Sequence, residues 1–282
     1  MNRSYHQVPN LTVTVQDGTR YIYRDFGQET GIPVFLFPHL AATLEQWDPR
    51  VVDQLGKHFR MIAFDNKGVG GSTGHVPTSI PQMARDALAF IDALGFEKIK
   101  IFAFSLGGMV AQELVLLRPD LVEKIILAGT SGRGGLGLDK IVAVTMRDML
   151  KAGIHGIDPK RFLFFNHDED GKRAAMDYLL SVNARKDNRD KDIGLVAFLK
   201  QLKAIKLWSQ QSPADLSQIT IPTLIVNGDR DRMVPTPNSH ALHKAIPASE
   251  LVIYPQSGHG GVFQYYEEFS QKAIGFFRAS QI

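Results

Sequence analysis

The sequence predicts an α/β fold in which a mostly parallel central sheet is flanked by helices and interrupted by a helical insertion after the sixth strand. Three observations carry this. Short apolar runs with β-branched or aromatic character recur along the chain, as strands buried on both faces require. Helical stretches separate those runs, which favours parallel crossovers over hairpins. The alternation then stops after Ala128 and resumes only at Thr223.

The elements follow in order. Leu11 to Val15 and Arg20 to Asp25 read as two strands around an Asp17-Gly18 turn, a short-range hairpin signal. Pro33 to Phe37, Met61 to Asp65, Ile99 to Phe104 and Lys124 to Ala128 read as buried strands. Helices are expected at about Gln46 to Lys57, Ile80 to Leu94 and Leu106 to Leu117. In the interrupted region the candidates are Leu138 to Lys151, Asp158 to Phe165, Lys172 to Asn183 and Ile193 to Trp208. In the last of these, Leu195, Phe198, Leu199, Leu202 and Ile205 form an apolar stripe at helical spacing. A structureless loop of that length would be improbable, so the region is an insertion. Strands at Thr223 to Val226 and Glu250 to Tyr254 and helices near Pro237 to Ile246 and Gln264 to Ala279 complete the sheet. Residues 1–130 and 216–282 are thus expected to form one α/β core and residues 131–215 a helical cap.

Composition narrows the chemistry. A length of 282 residues suits one large domain or two smaller ones, and 44% apolar with 22% charged residues is ordinary globular usage. With no cysteine there is no disulfide framework, thiolate metal site or thiol nucleophile, so any nucleophile is oxygen or nitrogen. The net charge, 32 − 29 = +3, is spread among acidic residues without a basic stripe, which argues against nucleic acid as partner. No run reaches the ~20 apolar residues of a membrane span, and the start, Met1 to Gln7, has no apolar leader core; a cytoplasmic location without membrane association is the expectation.

One constellation carries chemistry. The strand ending at Phe104 runs into Ser105 and straight on into a helix, and Ala103-Phe104-Ser105-Leu106-Gly107 approximates the G-x-S-x-G turn that exposes a nucleophilic serine, with alanine for the first glycine. A serine hydroxyl needs a base, itself oriented by a third group. His259 is the histidine set among turn residues, Ser257-Gly258-His259-Gly260-Gly261, after the last strand. The third group is expected just after the strand at Thr223, where Asp229 and Asp231 compete. The order Ser, Asp, His along the chain favours a triad.

On these residues the chain resembles the α/β-hydrolase superfamily, in the branch of cofactor-free haloperoxidase-like esterases and small carboxylesterases. Asp65-Asn66-Lys67-Gly68-Val69-Gly70-Gly71-Ser72 is similar to that family's D-x-R-G-x-G-x-S turn with lysine for arginine. The family's G-x-x-D-x-x-x-P pattern falls on Gly228, Asp231 and Pro235, which selects Asp231 as the acid. The resemblance places the oxyanion hole on the backbone N–H groups of Leu106 and Leu40. It also exposes a departure: His39 occupies the position of a glycine. Two placements are open for its side chain, into the active site or against the loop at Asn66-Lys67-Gly68.

Other signals read more plainly. Gly132-Arg133-Gly134-Gly135-Leu136-Gly137 spells G-x-G-x-x-G, but no compact βαβ unit follows it, so a glycine hinge into the cap is expected rather than a dinucleotide site. Asp168-Glu169-Asp170-Gly171 reads as a helix start, and the mixed-charge run Ala184 to Asp192 as a solvated helix end or loop. Met146, Met149, Leu150, Phe162, Phe164, Phe165, Leu179, Leu180 and Trp208 are candidates for an apolar pocket in the cap, with Met146, Phe164, Trp208 and His39 expected to touch substrate.

The expectation is a serine hydrolase, without cofactor or metal, that cleaves an ester or lactone of a small, largely apolar acyl substrate. The same triad also serves C–C bond hydrolysis and perhydrolysis, and a ligand-binding or signalling protein on this scaffold is the different-class alternative.

Overall fold

The computed structural model describes residues 4–279; Met1 to Arg3, which open the polar start noted above, lie outside them. Eight strands form one sheet: β1 (Leu11–Thr14), β2 (Arg20–Gly27), β3 (Val34–Phe37), β4 (Arg60–Phe64), β5 (Ile99–Phe104), β6 (Val122–Ala128), β7 (Thr223–Gly228) and β8 (Ser249–Tyr254). Their order across the sheet is β1-β2-β4-β3-β5-β6-β7-β8. The pairs β1/β2 and β2/β4 are antiparallel, and every other pair is parallel. The loops after β3, β5, β7 and β8 therefore emerge along one edge, the edge at which open α/β sheets build their sites.

Strand side chains alternate between two apolar layers, as the pleat dictates. Phe35, Phe37, Ile101 and Ala103 join the layer under α2 (Ile80–Ala93) and α3 (Leu106–Leu117). Val34, Leu36, Phe102 and Phe104 join the opposite layer with α1 (Pro49–Gly56) and α10 (Tyr266–Arg278). Helix α8 (Pro237–Ala245) and the single turn α9 (Gly261–Gln264) flank β7 and β8. Helix α1 starts later than its periodicity suggests. Thr43 and Gln46 close a capping box around one 3₁₀ turn, after which Asp48 caps Arg50 N at 2.9 Å with Pro49 as the first helical residue.

Between β6 and β7 lie α4 (Ile141–His155), α5 (Lys160–Leu163), α6 (Glu169–Val182) and α7 (Leu195–Ser209), and no strand among the described residues. Helix α5 is one turn where a longer helix was expected, because the chain turns away at Phe164 to bond the loop after β8. Helix α6 begins at Glu169 under an Asp168 cap, as the acidic cluster suggested. The stripe on α7 is rotated from the expected one: Phe198, Gln201, Leu202, Ile205 and Trp208 are buried, whereas Leu195 and Leu199 are exposed. The run 184–192 is not simply solvated. Arg185 is buried and donates to the carbonyls of His6 and Val8 at 2.9 Å, and Asp190 N donates to Glu45 Oε1 at 2.9 Å. The glycine-rich segment is anchored midway, since Arg133 makes two 2.6 Å bonds to Glu113 on α3. Among the described residues no helix is long and apolar enough to cross a membrane.

Candidate active site

Ser105 stands at the junction of β5 and α3 with φ +56° and ψ −117°, outside the favoured regions for a non-glycine residue. Close packing holds it there. A Cβ at Gly107 would lie 2.1 Å from the Phe37 carbonyl oxygen, and one at Gly108 2.6 Å from the Thr130 side chain, so the first turn of α3 sits directly against the ends of β3 and β6. Thr130 Oγ1 donates to the Ser105 carbonyl at 2.8 Å and Ser105 N donates to Ala128 O at 2.9 Å. Ala103, at the position of the first motif glycine, is a buried strand residue whose methyl the core accommodates. Leu106 opens α3, so its N–H has no acceptor within the helix and lies at the positive end of the helix dipole.

The loops after β7 and β8 bring the other two residues to the serine. His259 Nε2 is 2.9 Å from Ser105 Oγ, and His259 Nδ1 is 2.8 Å from Asp231 Oδ2. An ionised carboxylate only accepts, so Nδ1 carries the ring proton and Nε2 presents its lone pair to the hydroxyl. The second oxygen of Asp231 accepts from Met233 N and Val234 N at 2.8 and 2.9 Å, which fixes the carboxylate plane. Asp229, its competitor, is exposed and accepts instead from Ser257 N at 3.1 Å, tying together the two loops. The His259 ring packs on Phe104 and Phe164, with centroids 4.9 and 5.6 Å away.

Every one of these loops is bonded to the insertion. Gly260 N donates to Phe164 O at 2.7 Å, an approach that also leaves the Gly258 position too close to that carbonyl for a Cβ. Arg232, next to Asp231, donates to Asp148 Oδ2 on α4 at 2.9 Å. In the loop after β3, Ala41 N donates to Gln201 Oε1 on α7 at 2.8 Å.

The serine faces an inner cavity of about 30 Å³, lined by Ser105, His259, His39, Leu40, Met109 and Met233 among others. Beyond it lies an outer chamber of about 500 Å³, whose lining includes Gln46, Thr145, Met149, Lys160, Ile193 and Phe198. His39, Leu40, Leu163 and Phe164 line both and form the partition between them. A larger groove of about 820 Å³ lies remote from the serine, beside the Asp25–Arg60 ion pair, and holds no nucleophile paired with a base.

His39 therefore points into the site rather than toward the loop at 66–68. Its ring meets Phe104 and Phe164 edge to face, and its Nδ1 donates to Leu40 O at 2.8 Å. Burial pushes its pKa down to about 3, so the ring is neutral.

The expected substrate contacts divide. Phe164 and His39 line the cavities. Trp208 does not: it is buried in the core between α7 and α3, where Nε1 donates to Glu113 at 3.2 Å. Met146 is 49% exposed and lies outside both linings, because α4 turns Thr145 and Met149 to the chamber instead. Leu179 and Leu180 line a separate outer groove with Met176. Sequence reasoning passed over Leu163, Met233, Arg232 and Gln201. Gln201 carried a signal, a polar residue beside the apolar stripe of α7.

Ser105, His259 and Asp231 thus stand hydrogen-bonded in a row at the C-terminal edge of an eight-stranded, mostly parallel sheet, an arrangement in keeping with a hydrolase fold. Residues 32–264 match the model of the alpha/beta hydrolase fold family, and the chain belongs to that family. An alpha/beta hydrolase fold protein from Chitinophaga pinensis superimposes with a TM-score of 0.93 at 34% identity, covering 99% of this chain and 100% of that one. A protein of Rhizobium rhizogenes described as a carbamate hydrolase, RutD, is 25% identical over 87% of this chain and 92% of its own. A 2-hydroxy-6-oxononadienedioate/2-hydroxy-6-oxononatrienedioate hydrolase from Klebsiella pneumoniae is 28% identical over 77% of this chain and 76% of its own.

Proposed function

We propose that the protein is a serine hydrolase that cleaves an ester or lactone bond of a small, largely apolar acyl substrate through an acyl-enzyme. The observation that supports this most is the unbroken relay from Asp231 through His259 to Ser105 Oγ on the wall of an apolar cavity.

In this reading Ser105 Oγ attacks the carbonyl carbon as His259 Nε2 takes the hydroxyl proton. Asp231 stabilises the imidazolium, and the N–H groups of Leu106 and Leu40 receive the developing oxyanion. Collapse breaks the bond to the leaving oxygen, which takes the proton from His259. Water, deprotonated by the same nitrogen, then attacks the acyl-serine and releases the acid. The whole sequence uses side chains and backbone of the chain itself, and the partner is the substrate alone.

The inner cavity has room for about two water-sized groups. The small group attached to the carbonyl fits there, and the bulkier apolar part of the substrate belongs in the outer chamber.

A second reading is favoured by the descriptions of the curated relatives: a carbamate in place of the ester, attacked by the same serine to give a carbamoyl-enzyme. Labelling with a fluorophosphonate, followed by p-nitrophenyl acetate, butyrate and octanoate, tests the shared chemistry. Labelling and ester turnover are expected in the wild type and lost in Ser105→Ala. Wild type no faster than Ser105→Ala on every ester overturns the proposal.

A further inference from the structure

One polar atom in the site has no role in the relay. His39 is 5% exposed and its Nε2 is buried, yet among the described residues no protein atom hydrogen-bonds it. Its chemical state follows from its other nitrogen. A carbonyl oxygen only accepts, so the bond to Leu40 O places the proton on Nδ1 and leaves a bare lone pair on Nε2. The ring cannot swing away, being held edge-on by Phe104 and Phe164. A fixed acceptor without a partner in an apolar enclosure is unfavourable unless something supplies a donor.

The placement says what supplies it. His39 lines the inner cavity beside Ser105 and His259 and also the outer chamber, and it directly precedes Leu40, whose N–H is assigned to the oxyanion. With room for about two water-sized groups, the inner cavity admits little beyond the atom bonded to the carbonyl carbon.

Building on the serine hydrolase reading, we propose that His39 is a specificity-determining residue whose Nε2 accepts a hydrogen bond from an N–H or O–H group attached at or next to the scissile carbonyl. The substrate class is then carbonyl compounds bearing such a donor, with carbamates of primary or monosubstituted amines the simplest members. A glycine at this position would leave the site indifferent to the donor.

The test compares p-nitrophenyl N-methylcarbamate with p-nitrophenyl propionate, which differ only by N–H for CH₂ beside the carbonyl. The readout is p-nitrophenol release as kcat/KM in wild type, His39→Phe and His39→Leu, the second variant serving if the first does not fold. Intrinsic reactivity, and any effect common to both probes, cancel when the carbamate-to-propionate ratio of a variant is divided by that of the wild type. That ratio is expected to fall about 10- to 100-fold in the variants, as loss of a buried acceptor for a substrate donor implies. An unchanged ratio overturns the proposal, as does wild type that turns over propionate but shows no carbamoylation. An unchanged ratio with slowed deacylation would assign Nε2 to the hydrolytic water instead, which also overturns it. Wild type no faster than Ser105→Ala on both probes would overturn the hydrolase reading separately. Binding of the intact probes to Ser105→Ala with and without His39→Phe then decides the role of His39: weaker binding of the carbamate alone supports it, and equal loss or no loss overturns it.

Discussion

Gln201 reaches across from α7 to accept the Ala41 N–H at 2.8 Å, and in doing so holds a loop residue whose φ is +64°. Ala41 follows Leu40 directly. The insertion thereby fixes the backbone that the proposed mechanism assigns to the oxyanion, from a residue 160 positions further along the chain. Gln201→Met fills a similar volume without an acceptor and takes the acceptor from the half-buried Ala41 N–H. Thermal or urea unfolding is expected to show a loss of about 1–3 kcal/mol. The value of kcat/KM on p-nitrophenyl butyrate is expected to fall about tenfold or more, since a displaced oxyanion donor costs more than its own hydrogen bond. Unchanged kinetics at reduced stability would restrict Gln201 to a structural role.

The Asp231 carboxylate is committed at both oxygens, one to two backbone N–H groups and the other to His259. Asp231→Asn can keep the backbone bonds through its amide oxygen, but it then turns an NH₂ toward His259 Nδ1. The imidazole must accept there, which moves the ring proton to Nε2 and removes the base facing Ser105. A fall in kcat of about 10³–10⁴-fold with little change in unfolding midpoint is expected. Steady-state kinetics on p-nitrophenyl acetate with parallel denaturation curves check both halves.

The two small residues flanking Ser105 are not equivalent. Gly107→Ala drives a Cβ to within 2.1 Å of the Phe37 carbonyl, a backbone atom that cannot step aside, so insoluble or markedly destabilised protein is expected. Ala103→Gly removes one buried methyl and adds strand entropy, which predicts a folded, active protein less stable by about 1 kcal/mol. Soluble yield and thermal unfolding of the pair distinguish the two positions.

That asymmetry marks what a single sequence discloses. The limits of β5 and α3 and the placement of Ser105, His259 and Asp231 on strand ends were legible because buried strands are continuous apolar runs and the elbow is local. The insertion was less legible. One turn of α5 survives because Phe164 O turns to Gly260, and in a run that reads as solvated Arg185 is buried and Asp190 half-buried by partners at residues 6, 8, 45 and 65. Trp208 and Met146 were misplaced for a related reason: hydrophobicity marks a buried face of a helix without saying whether core, cavity or solvent lies beyond it. The glycine-to-histidine departure at residue 39 was visible, but its orientation depends on Phe104 and Phe164, far apart in the chain.

Asp65 and Asp190 make a pH prediction. Burial, and then a hydrogen bond and repulsion from Asp190, hold the Asp65 carboxyl well above the ordinary carboxylate range. The folded state therefore keeps a proton that the unfolded chain releases, and by linkage this contribution is full below the unfolded carboxylate pKa and declines as pH rises through the folded one. Asp190→Asn removes the carboxyl that raises Asp65 and offers it an amide N–H instead. It is expected to raise stability at neutral and alkaline pH and to flatten its decline from acid to neutral. Urea midpoints of wild type and variant between pH 4 and pH 8 check this, and parallel curves would contradict it.

Leu163 sits in the partition between the inner cavity and the outer chamber, on the single turn of α5, half-buried and backed by Phe164. Truncation to alanine opens the partition without touching the relay. The inner space then joins the outer one, so acyl chains too long for about 30 Å³ gain room beside the serine while acetyl loses an apolar wall. Each methylene accommodated is worth roughly tenfold in specificity at most sites of this kind. Leu163→Ala is thus expected to raise kcat/KM on p-nitrophenyl hexanoate relative to acetate by about 10-fold or more. The partial burial of the side chain limits the stability cost to about 1–2 kcal/mol. A chain-length profile identical to wild type would place the acyl group outside this partition.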